Sequence, residues 1–71
     1  MTKFAVKGEV IRLDQLLKAV GIAGSGGEAH ALVEAGVVRV DGKVETRKRA
    51  QLRVGQRVDC NEESVELIAE S

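Results

Sequence analysis

The sequence predicts an α+β domain, two short helices packed on a small antiparallel β-sheet. Three observations carry that expectation. Leucines between residues 13 and 17 recur at helical spacing, and a second segment, Ser25–Gly36, has its own helix start and stop signals. Beyond it, an Asp-Gly pair interrupts a run of alternating valines, which marks a hairpin. Helices followed by strands, with no βαβ alternation, is the α+β order.

Each element can be justified in turn. "KFAVKG" alternates weakly and reads as a short strand, with Phe4 serving the core. In "IRLDQLLKAVG", Leu13, Leu16, Leu17 and Val20 fall at i, i+3, i+4 and i+7, one apolar stripe on a helix. Asp14 and Lys18 stand four apart, acid first, as a supporting pair on that helix. Gly21 ends it. Ser25 then caps a second helix, and Glu28, three residues on, is placed to reach back to the cap N–H. Ala29, Leu32 and Val33 give that helix a narrow apolar face, and Gly36 stops it. Only "IAG" separates the two helices, so they form a tight helix–turn–helix pair. Asp41-Gly42 predicts a two-residue type I′ turn, with Val38, Val40, Val44 and Thr46 turned inward and Arg39 and Glu45 outward. "QRVDC" and "SVELIA" are two more short strands joined at "NEES".

Size and composition narrow the class. Seventy-one residues make one domain, expected to span 1–71. Cys60 is the single cysteine, which rules out a disulfide framework and suits a reducing compartment. No signal peptide and no membrane-length apolar stretch is read, so the expectation is a cytoplasmic protein with no membrane partner. Formal net charge is zero, but its distribution is uneven: residues 39–57 hold seven basic side chains against Asp41 and Glu45, and residues 58–71 hold five acids and no base. Two readings of this asymmetry stand. The basic segment faces a polyanion, or neighbouring elements neutralise one another across the surface.

Enzyme chemistry finds little support. His30 and Cys60 form no nucleophile–base pair with a third orienting group, and Cys60 reads as a small buried hydrophobe. Clusters of Cys and His that would hold a metal are absent from the sequence, and no cofactor or small-molecule substrate is expected. "GSGG" (Gly24–Gly27) lacks the Lys-Ser/Thr of an NTP-binding loop. It does open a helix, where free N–H groups favour an anion, so Ser25, Gly26 and Gly27 either admit a backbone phosphate or only shape the turn. His30, at the edge of the same helix's polar face, is solvated or faces a phosphate.

The basic run makes the stronger case. Arg47, Lys48 and Arg49, with Arg39, Lys43, Arg53 and Arg57, can surround a concave surface beside the hairpin. The arginine fork suits phosphate. There is no Trp or Tyr and one Phe, so bases have no aromatic platform to stack on. An RNA ligand would therefore be read through backbone and shape, which points to folded RNA.

The order of residues also resembles a known family. Arg12-Leu13-Asp14, Leu17, Gly21, Ser25, Ala29, Leu32-Val33, Gly36, Val38, Val40-Asp41-Gly42, Arg47-Lys48 and Gly55 match the RNA-binding domain first named for small-subunit ribosomal protein S-four, the αL motif. More narrowly, the chain resembles the YbcJ-like proteins. The likeness covers roughly residues 9–60, and "VDGKVETRKR" is its most specific stretch. It implies a module of two helices and a hairpin that binds structured rRNA or tRNA, ribosomal particles among its settings, without catalysis of its own. Arg12 matches the family's arginine at the first helix, and His30 stands where the family commonly carries Arg or Lys. Two departures are plain: Gly26 replaces a common arginine, and Glu34 a position that is often basic. Both weaken the second-helix side and shift weight to the hairpin and the basic run. Against this expectation stands a protein-interaction module whose basic face binds an acidic partner. A ubiquitin-like sulfur carrier is excluded by the sequence Ala69-Glu70-Ser71 where a Gly-Gly end is needed.

Overall fold

In the computed structural model, which describes residues 1–70, the leucine stripe lies on α1 (Leu13–Ala19), with Leu13, Leu16 and Leu17 fully buried. Each such side chain contributes about 1.5–3 kcal/mol by leaving water. Helix α2 (Gly26–Glu34) adds Ala29 and Val33, with Leu32 only partly covered. Gly21 and Gly36 stop the two helices with φ of 81° and 75°.

Among the described residues seven strands surround the helices: β1 (Thr2–Val6) and β2 (Val10–Arg12) precede them, and β3 (Val38–Val40), β4 (Lys43–Val44), β5 (Gln51–Arg53), β6 (Arg57–Cys60) and β7 (Glu63–Ala69) follow. Five form one sheet in the order β1-β7-β6-β3-β4, and β2 pairs with β5 in a separate ribbon. The α+β class stands. The sheet is mixed rather than wholly antiparallel, because β1 runs parallel to β7 with Phe4 beside Leu67. Val38, Val58, Cys60, Val65 and Leu67 point from this sheet into the core, and Leu52 enters it from the ribbon. Phe4 packs on its margin. The Cys60 thiol is buried as expected, and burial, with Glu63 nearby, pushes its pKa up.

The hairpin turn is as read: Asp41 and Gly42 have φ of 52° and 84°, the left-handed pair a type I′ turn needs. The expected side-chain alternation is corrected. Arg39 lies opposite Val44 and Val40 opposite Lys43, so Val44 shares Arg39's outward face and is half exposed; Thr46 is exposed too. A two-residue loop pairs odd with even positions across the hairpin, and paired residues share a face.

Candidate nucleic-acid interface

Ribbon β2–β5 positions the site. Ile11 and Leu52 face the core as partners, leaving Arg12 beside Gln51, and Val10 beside Arg53, on the opposite face. The chain then runs along the start of α1. Leu13 N–H donates to the Ala50 carbonyl at 2.9 Å, and Asp14 N–H to that of Lys48 at 3.2 Å. Two amides that a helix leaves unpartnered at its first turn are satisfied by the backbone of the basic run. That run is therefore a coil with a turn at Lys48-Arg49, not an extended strand.

This placement gathers the cations. Arg47, Arg49 and Arg53 line an open groove of ≈580 Å³ with Ala50 and Gln51. Arg49 and Arg53 make no ion pair among the described residues; Arg47 bonds Glu45 at 3.2 Å, and Lys48 lies 4.0 Å from Glu34. Hydrogen bonds from the Arg47 side chain and backbone hold the Glu45 carboxyl below its ordinary range, against a smaller opposing effect of burial.

Asp14 was expected to pair with Lys18. Instead it is buried, 5% exposed, and binds across elements. Arg12 Nε donates to its Oδ1 at 3.0 Å, an Arg12 terminal nitrogen donates to Oδ2 at 3.1 Å, and His30 Nε2 stands 3.2 Å from Oδ2. Burial pushes this carboxyl up, but the bonds from Arg12 and His30, the Arg12 charge and the Gln15 N–H together hold it low. Arg12 is a near neighbour in the chain, but His30 reaches Asp14 only through tertiary structure, so the sequence conceals this cluster.

At the start of α2, Glu28 N–H donates to Ser25 Oγ at 3.1 Å, as the capping box predicts. The Glu28 carboxylate, however, accepts from Gly24 N–H rather than from the cap itself. Neither Gly26 nor Gly27 has positive φ, and a Cβ at Gly26 would meet nothing within 4 Å. The backbone angles do not require glycine at either place. Gly26, His30 and Glu34 follow one another at four-residue intervals along one side of α2.

Two expected members stand elsewhere. Arg39 lines a different depression with Gly36, Val37, Asp59 and Asn61, and it pairs in register with Asp59. Arg57 Nε donates to Asp59 Oδ1 at 3.1 Å. Ser64 bonds Asp59 most strongly and, with Arg57 and Arg39, holds that carboxyl low although burial opposes it. Lys43 lies at the exposed hairpin end with no ion pair among the described residues.

The two helices and the strands around them agree with the comparisons. The chain belongs to the S4 domain family, whose model matches residues 4–68. It is 42% identical over 59 residues to YbcJ proteins of Escherichia coli (strain K12) and Shigella flexneri, covering 83% of this chain and 84% of each relative. It is also similar to a solution structure of YbcJ from E. coli, which reveals an αL motif involved in RNA-binding. That match has 38% identity and a TM-score of 0.67, and covers 96% of this chain and 85% of the other. No helix among the described residues is long and apolar enough to cross a membrane.

Proposed function

We propose that this protein is a non-catalytic RNA-binding module of the cytoplasm that docks on structured rRNA or tRNA. The observation that carries this reading is the groove of Arg47, Arg49 and Arg53, anchored through Lys48 and Ala50 to the first turn of α1. Arg12, His30 and Lys48 extend it, and Ser25, Gly26 and Gly27 continue it along α2; Lys43 flanks it at the hairpin. Arg39 is left out of the principal surface because Asp59 faces it. The likeness to YbcJ supports RNA as the ligand. Arginine forks fit phosphate oxygens two at a time, and the lack of an aromatic platform favours recognition by backbone and shape.

The test is direct binding of end-labelled protein to bulk rRNA, bulk tRNA and RNA-stripped protein extract at two salt concentrations. Preference for one folded RNA, persisting at moderate salt, is the expected result. Retention by the stripped extract alone would replace RNA with an acidic protein partner. Changing Arg47, Lys48 and Arg49 together to Ala is expected to weaken binding across sequences, flattening the salt slope by about 0.7–0.9 per lost phosphate contact.

A further inference from the structure

Both Arg12 and His30 bond the same oxygen of one buried carboxylate, so two cation-forming side chains stand side by side at the edge of the proposed surface. We infer that Asp14 is a positioning residue that holds Arg12 and His30 as a two-pronged seat for one RNA phosphate, and that His30 must take up a proton to complete the seat. This rests on the RNA-binding reading and specifies the chemistry of one corner of that surface.

Donor geometry leads to the proton. The Asp14 carboxylate, ionised beside Arg12, can only accept, so His30 Nε2 carries the hydrogen that points at it. In a neutral ring Nδ1 then presents a lone pair, which repels a phosphate oxygen. A second proton turns Nδ1 into a donor. Arg12 uses two of its five N–H groups on Asp14 and keeps the others for a ligand. Both side chains reach solvent, 46% exposed for Arg12 and 28% for His30, whereas Asp14 does not.

Charge leads to the same place. With a neutral imidazole, Arg12 and Asp14 cancel and the cluster has nothing to offer an anion. Protonated His30 gives it one net positive charge. The surrounding groups do not alter this balance. Lys48, in the turn bonded to Asp14 N–H, is paired with Glu34, one turn along α2 from His30. On the other side of His30, Glu28 is bound to Gly24, and Lys18 lies one turn along α1 from Asp14. Carboxylates stay ionised and lysine and arginine stay charged from pH 5.5 to 8, the interval in which an imidazole changes charge. RNA binding and proton binding are then reciprocal: each strengthens the other.

The experiment uses the whole chain with bulk tRNA and rRNA at fixed salt, measuring Kd from pH 5.5 to 8, alongside the proton NMR titration of His30. It is the single histidine, so its ring signals need no separation from others. Affinity is expected to fall about five- to tenfold between pH 6 and pH 8, and bound RNA to move the His30 titration to higher pH. His30→Gln flattens the profile by removing affinity at the acid end. His30→Lys flattens it the other way, binding more tightly than wild type at pH 8. Asp14→Asn abolishes the pH response while the ring stays titratable; if that variant does not fold, the two His30 variants decide. Binding that ignores pH, a His30 titration unmoved by RNA, or a wild-type profile in His30→Gln overturns the seat and leaves the RNA-binding reading intact. No binding at any pH overturns both.

Discussion

Two regions of this small domain carry arginines and treat them differently. On the outward face of the five-stranded sheet, Arg39 stands beside Asp59, Arg57 bonds Asp59, and Glu66 lies in register between Arg57 and Lys3. Strand pairing has laid each cation next to an acid. Along ribbon β2–β5 and the turn before it, Arg49 and Arg53 have no ion-pair partner among the described residues, while Asp14 is set against Arg12, Glu45 against Arg47 and Glu34 against Lys48. Neutralisation across neighbouring elements, one of the two readings of the charge asymmetry, thus describes the sheet face, while Arg49 and Arg53 form no ion pair among the described residues. Local sequence charge does not determine surface potential; the partner that the fold brings across the sheet does.

Three experiments test that contrast, beginning with the largest effect. Leu52 is the ribbon's anchor in the core, and Leu52→Ala is expected to cost about 2–5 kcal/mol in denaturant unfolding. A cost below about 1 kcal/mol would mean that the arginine groove is not built on the core at all. Next, Arg47, Arg49 and Arg53 changed together to Ala are expected to lower RNA affinity roughly a hundredfold, while Arg39 and Arg57 changed together lower it less than about threefold. Equal losses from the two sets would erase the distinction between the faces. The smallest effect concerns acid. Asp14, Glu45 and Asp59 all have folded-state pKa values below their ordinary ones, so the unfolded chain binds more protons at low pH. Their contribution is complete above the ordinary carboxylate range, about pH 4, and is lost as pH falls through the folded values. Unfolding free energy measured at pH 7, 4 and 3 is expected to fall mostly between pH 4 and pH 3, and Asp59→Asn to reduce the fall. A stability flat down to pH 3 would show that neither region relies on its ionised acids.

What the sequence revealed was local. The stripe of Leu13, Leu16 and Leu17, the cap at Ser25 and the Asp41-Gly42 turn each depend on neighbours within a few positions, and each is present. What it concealed was distant. "VIR" and "QLR" are too short to announce strands, and they meet across some forty residues, Val10 opposite Arg53. The parallel pairing of β1 with β7 joins the two ends of the described chain, where no turn signal can mark it. Asp14 had an i+4 lysine to suggest a surface pair, and only the packing of α2 against α1 delivers His30 to it instead. The site was legible as a set of cations. Its division into a balanced face and an open groove was not.

One consequence concerns length. Val44 is fixed in the hairpin opposite Arg39, and Ala50 is fixed by the Leu13 amide. The six Cα-to-Cα steps between them reach at most about 20–22 Å when fully stretched. The segment that bears Arg47, Lys48 and Arg49 turns at Lys48-Arg49 and is held at both ends, by the five-stranded sheet and by the first turn of α1. Its side-chain charges are open to exchange, whereas its backbone carbonyls at Lys48 and Ala50 are committed to the first amides of α1.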